Sequence, residues 1–139
     1  MKKGYHANIE SLTTENADFR RVLYTAEHMQ LVLMSLLQGE EIGMETHPDN
    51  DQFFRFEAGE GRVLINGNEY EVVDGDTIIV PCGAEHNVIN TGSEALKMYT
   101  IYSPAHHKDG TVHTTKADAL ADDEEFDGGT TERPSADIA

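Results

Sequence analysis

Apolar residues in this chain fall in short runs that alternate with polar ones. Stretches rich in β-branched and aromatic residues lie at 19–25, 30–37, 52–57, 62–65, 69–73, 77–80, 87–90 and 95–103, and each reads as a strand. Turn signals separate them. Asn66-Gly67 is the dipeptide that best marks a two-residue hairpin, and Ala58-Gly59-Glu60-Gly61, Asp74-Gly75-Asp76 and Asn90-Thr91-Gly92-Ser93 are further turns. Many short strands with regular turns argue for a sandwich or barrel. No stretch carries a sustained helical period, and only 116–123 reads as a short helical turn. At 139 residues, without an internal repeat, the chain is sized for one domain with a real core.

One string in this pattern is more specific. Gly75 is followed after five residues by Pro81, after one by Gly83, after two by His86 and after three by Asn90. Thr77 to Val80 forms the strand, Pro81 to Gly83 breaks it, and His86 opens the next strand with Val88 and Asn90 on its own face. This string resembles the second of the two motifs that define the cupin superfamily. A departing version of the first motif lies upstream. Gly39 is followed after five residues by Glu45, after one by His47, after four by Gln52 and after six by Gly59. Glu45 stands where the family has its first histidine, and Gln52 where it has a glutamate. The chain is therefore similar to the small single-domain, RmlC-like cupins loosely grouped with mannose-6-phosphate isomerase-like cupins. The resemblance implies an all-β fold, a single jelly-roll β-barrel over 18–104. An N-terminal segment (1–17) would precede it, and a C-terminal segment (105–139) with an acidic, partly flexible tail would follow. It also implies a homodimer of C2 symmetry.

The same resemblance implies one divalent metal ion per chain, held by Glu45, His47, Gln52 and His86. Glu45 and His47, two apart in an extended segment, point to one face, the barrel interior if the cupin register holds. Mixed imidazole and oxygen donors suit zinc, iron, manganese or nickel. The amide of Gln52 is a neutral, weaker donor than the family's glutamate. Asp51 is its rival, because the family spacing also allows three residues at this point; the six-residue gap to Gly59 favours Gln52. Phe54 and Phe56 should point with Gln52, and Phe53 and Arg55 the other way. Met44, Met98, Tyr99 and Tyr102 are apolar candidates for core or pocket. Cys82, in the turn before His86, reads as a buried, inert residue. The segment 104–113 holds His106, His107 and His113; it either folds over a barrel mouth or forms a surface turn, and the surface turn is the preferred reading.

Composition bounds the setting. A formal charge of −16 excludes nucleic acid and anionic membrane surfaces as natural partners. Eight acidic residues between Asp118 and Asp137, against the single base Arg133, read as a solvated or partly ordered segment. The start, Met1-Lys2-Lys3-Gly4-Tyr5-His6, lacks the apolar stretch of a signal peptide. No run reaches membrane-spanning length. The single cysteine, Cys82, fits a reducing cytoplasm. The leading functional expectation is a metal-dependent isomerase or lyase acting on a small polar, sugar-like substrate, with Glu45 as its catalytic residue. One alternative is an iron(II) dioxygenase using Glu45, His47 and His86; another is a non-catalytic protein that binds metal or a small ligand.

Overall fold

The computed structural model describes residues 1–134. Along the chain run α1 (Ile9–Glu15), β1 (Arg20–Thr25), β2 (Gln30–Leu36), β3 (Glu45–Thr46), β4 (Asp51–Ala58), β5 (Glu60–Ile65) and β6 (Asn68–Val73). They are followed by β7 (Thr77–Val80), β8 (Glu85–Asn90), β9 (Leu96–Ser103), β10 (Val112–His113) and α2 (Lys116–Leu120). The strands pair antiparallel in two sheets, one in the order β10-β1-β2-β9-β4-β7 and the other β3-β8-β5-β6. This is the all-β, two-sheet architecture that the strand pattern argues for, in the jelly-roll form that the resemblance implies.

Every stretch read as a strand forms one, with ends shifted by at most two residues. The Asn66-Gly67 hairpin forms as its chemistry demands. Both residues have positive φ, 47° and 84°, as the preferred two-residue hairpin turn requires, and this sets Ile65 opposite Asn68. Two expectations are corrected. The first is the absence of an N-terminal helix: α1 forms over seven residues, with the Asn8 side chain accepting a hydrogen bond from the Ser11 amide. Seven residues are fewer than two turns, too few for a helical repeat to show in the sequence. The second is the solubilising role preferred for the tail, because the described part of it, expected to be solvated or partly ordered, is docked on the barrel. β10 pairs with β1, the Phe126 amide donates to the His106 carbonyl, and the Thr131 amide donates to the Thr25 carbonyl. Glu132 accepts hydrogen bonds from the Lys3 and Gly4 amides and the Tyr24 hydroxyl. Carboxylates that meet backbone amides and hydroxyls are held, whatever the local charge density. The end of the expected tail, 135–139, lies outside the described residues.

Alternation then divides the barrel interior. Phe54 and Phe56 of β4, Val63 of β5, Leu96 and Met98 of β9, Val88 of β8 and Leu36 of β2 are at or near zero exposure and form the core. Burying such side chains supplies the main drive for folding. Further along the same strands the inward residues turn polar. Gln30, Tyr102 and Gln52 stand side by side across β2, β9 and β4. On the outer face of that sheet α1 packs against β2, β4 and β9, which accounts for the burial of the outward-facing Leu33. Among the described residues no helix is long and apolar enough to cross a membrane.

The motif residues have structural causes. Asn90 donates to the Leu36 and Glu94 carbonyls and accepts from the Gly92 amide, clamping the turn after β8. Gly59 has φ of +87°, and a Cβ there would lie 2.5 Å from the Ala95 carbonyl oxygen. Gly75 has φ of +92° with open space around it. Gly75→Ala should therefore cost backbone strain alone, on the order of 1–3 kcal/mol. Gly59→Ala should cost more, because a backbone carbonyl must also move. Urea unfolding of the two variants checks this, and equal losses would contradict it.

Candidate metal centre

β3 lies beside β8, with Glu45 opposite His86, and His47 follows β3 directly. This pairing brings Glu45, His47 and His86 together, each offering a donor atom within 4.8 Å of the others'. His47 and His86 are 7% and 3% exposed, while the Glu45 side chain keeps 33%, so the cluster opens toward Glu45. Nε2 of His47 is 3.0 Å from Oε2 of Glu45, and the two imidazoles lie 5.2 Å apart. His86 Nδ1 is 3.0 Å from the Ala84 carbonyl oxygen. A carbonyl can only accept, so Nδ1 carries the proton and the Nε2 lone pair remains for a ligand. Burial would raise the Glu45 carboxyl, but its hydrogen bond to His47, with the charges of His47, Arg20 and His86, holds it below the usual value. Burial lowers the His86 pKa below its ordinary value.

Gln52 is the fourth expected donor. It is 3% exposed and points inward beside Tyr102, its partner on β9; the Tyr102 ring meets His47 edge-on at 5.8 Å. The Gln52 amide nitrogen donates to the Thr100 hydroxyl at 3.0 Å, yet its Oε1 is buried without a partner. An unpartnered buried carbonyl-type oxygen costs roughly 1–3 kcal/mol, and a nearby cation would satisfy it. Two imidazoles, a carboxylate and this orphaned oxygen fit a divalent ion in donor chemistry. The rival Asp51 is exposed on the opposite face, where its carboxylate accepts from the Cys82 amide at 2.8 Å.

Several neighbours depart from expectation. The 104–113 segment is no surface turn but folds over the site. The half-buried His106 ring sits 4.3 Å from His47 and stacks on Tyr102 at 5.2 Å. Burial, with His107 and His47 adding to it, lowers the His106 pKa to about 4. His107 is buried between Glu124, at 2.6 Å, and the Tyr102 hydroxyl, at 3.2 Å. His113 is buried against Arg20 and Asp122. Gln30 fixes this segment, accepting from the His106 and His107 amides and donating to the His107 carbonyl. Cys82 is exposed rather than buried, because its turn projects from the end of β7. Met44 is likewise exposed, whereas Met98 and Tyr102 are core. Phe53 and Tyr99 meet on the outer face, 6.1 Å apart. Arg20, an inward charge on β1, escaped the sequence reading; its position two residues before Val22, on the face of a buried strand residue, was the available signal.

A profile described as a cupin domain matches residues 32–102. The chain belongs to the cupin family. Its sequence is 48% identical over 125 residues to YrkC, an uncharacterized protein of Bacillus subtilis, covering 86% of this chain and 67% of the relative. The crystal structure of BH2720 from Bacillus halodurans superposes with a TM-score of 0.85 at 46% identity, over 86% of this chain and 96% of that one. A shorter stretch of 65 residues is 29% identical to a mannose-1-phosphate guanylyltransferase of Klebsiella pneumoniae, covering 47% of this cupin and 14% of that protein.

The docked tail makes a prediction. Burial raises the Glu124 carboxyl, but the His107 hydrogen bond and charge outweigh it and leave it below the usual glutamate value. A carboxyl depressed in the folded state stabilises it at pH above the unfolded value and loses that contribution as pH falls below it. Glu124→Gln should therefore lower the melting temperature at neutral pH and flatten its decline at acid pH below about 4.5. An unchanged acid limb in thermal melts of the variant would contradict this.

Proposed function

We propose that this cupin binds one divalent metal ion through Glu45, His47 and His86, with Gln52 as fourth donor. In this reading it acts as a metal-dependent isomerase or lyase on a small polar substrate. The observation that carries it is the meeting of three donors beside a buried amide oxygen that lacks a partner. A divalent ion bound there would supply Lewis-acid polarisation of a carbonyl or hydroxyl oxygen. Glu45 provides the only ligand charge and is the catalytic residue. Its Oε2 engages His47, leaving Oε1 to face a ligand or exchange a proton with it. His86 is fixed by Ala84 and presents one lone pair. His106 and Tyr102 cover His47 and exclude water from that side. A sugar-like substrate is supported by the family resemblance and by the stretch shared with the guanylyltransferase. The exposed free thiol of Cys82 supports a reducing, cytoplasmic setting.

The same three residues favour a second reading. Two histidines and one carboxylate are the ligand set of iron(II) oxygenases, and if Gln52 does not ligate, the site keeps the open positions such chemistry uses. Metal content of the protein as purified and oxygen uptake after iron loading separate the two. Glu45→Ala should abolish metal retention by elemental analysis. Gln52→Glu should tighten zinc binding on the order of tenfold or more, since a charged donor replaces a neutral one. Unchanged affinity would remove Gln52 from the ligand set. A wild type that takes up no zinc, iron, manganese or nickel would overturn both enzymatic readings and leave a barrel that binds a small ligand.

The expected homodimer has a candidate face. Leu31, Ile101, Phe53 and Ile79 are consecutive register partners across β2, β9, β4 and the edge strand β7. They point outward, and Ile79 is 65% exposed. An apolar row ending at an unpaired edge supports association with a second copy. Ile79→Glu should shift sedimentation toward monomer while leaving the circular dichroism spectrum unchanged; an unaltered dimer would exclude this face.

A further inference from the structure

Arg20 is 8% exposed, yet no carboxylate contacts it directly among the described residues. Arg21, Arg55 and Arg62 pair with Asp18, Glu57 and Glu71, whereas Arg20 forms no ion pair among the described residues. Its Nη1 lies 3.2 Å from His113 Nδ1, and its Nε is buried with no partner. A guanidinium can only donate, so His113 Nδ1 accepts and its Nε2–H donates to Asp122, 2.9 Å away. The Asp122–His113 chain thus grips one corner of the guanidinium and leaves Nε without a partner. Glu45 and Glu124 act on it through space, but no carboxylate touches it among the described residues, and a buried donor left without an acceptor costs stability.

The space beside Arg20 shows what fits. A cavity of about 120 Å³ is bounded by Arg20, Glu45, Phe19 and Ile42 and, from α2, by Lys116 and Leu120. At about 30 Å³ per water it holds roughly four waters, the bulk of a carboxylate with a few further atoms. Two of its walls are cationic. Its one carboxylate, Glu45, engages His47 rather than contacting Arg20.

We propose that Arg20, assisted by Lys116, receives the carboxylate of a small 2-hydroxy or 2-oxo acid in this cavity. The planar fork of Arg20 matches a carboxylate. The neighbouring oxygen of the ligand then faces Glu45. Arg20 selects the substrate class, and His113 and Asp122 are positioning residues that hold Arg20. The assignment of a 2-oxygen rests on the proposed metal centre; the contact between Arg20 and a carboxylate does not.

Titration calorimetry tests this with three probes, glycolate, ethylene glycol and inorganic phosphate, on zinc-treated and on EDTA-treated protein. Glycolate should bind saturably in both, and more tightly after zinc treatment, while ethylene glycol should give no saturable heat. Arg20→Lys, which keeps the charge but loses the fork, should weaken glycolate on the order of tenfold or more and still take up zinc. Lys116→Ala, on the short surface helix, should weaken it several-fold and guards against misfolding of a buried variant. Wild-type protein that binds zinc but not glycolate overturns this inference and leaves the metal centre standing. Glycolate binding without zinc uptake supports Arg20 and overturns the proposed function instead. Phosphate binding more tightly than glycolate, or glycolate affinity unmoved by both substitutions, also overturns the inference.

Discussion

A side chain that points into this barrel leaves water behind, and strand alternation forces polar ones to do so at one end. Gln30, Gln52, Thr100 and Tyr102 share the interior with His47, His86 and His107. Each buried donor or acceptor needs a partner or costs stability, and nearly all have one. Gln30 is tied to the His106 and His107 backbone, His86 to Ala84, and His107 to Glu124 and Tyr102. Among the described residues two buried side-chain atoms are left over, Oε1 of Gln52 and Nε of Arg20. One is an acceptor in need of a cation or donor, and the other a donor in need of an acceptor. Both belong to residues around the Glu45, His47 and His86 cluster. A metal ion and an anionic ligand would complete the inventory from opposite sides.

The surroundings serve the same end. The tail and the 104–113 segment bring Glu124, Asp122 and His106 over the barrel. Glu124 and Asp122 accept from the buried imidazoles of His107 and His113. The acidic residues that set the chain's charge are, in this stretch, partners of buried histidines and of backbone amides. The C-terminal segment is therefore part of the site's support.

Much of this was legible from residue order, and what was not has identifiable reasons. Period-two alternation located the principal strands and set Phe54 and Phe56 on the face of Gln52, and the six-residue gap to Gly59 favoured Gln52 over Asp51. Motif spacing located His47 and His86, and a two-residue separation aligned Glu45 with His47. Short elements were lost: α1 spans fewer than two turns, and β3 and β10 have two residues each, below any recognisable period. The histidines of 104–113 looked solvated because their partners, Gln30, Glu124 and Asp122, are distant in sequence or sit in an acidic run. Cys82 and Met44 were assigned to the interior by residue type, but turn geometry exposes them. Arg20 lies two residues before Val22 on its strand, so alternation puts both on one face, a signal that the sequence reading did not use.

X-ray absorption at the metal edge of the zinc-loaded protein tests the central claim most directly, because it reads the donor atoms themselves. The account predicts a first shell of nitrogen and oxygen with the multiple scattering of two imidazoles, falling to one in His86→Ala. A shell containing sulfur, which would point to Cys82, or one without imidazole scattering would contradict it.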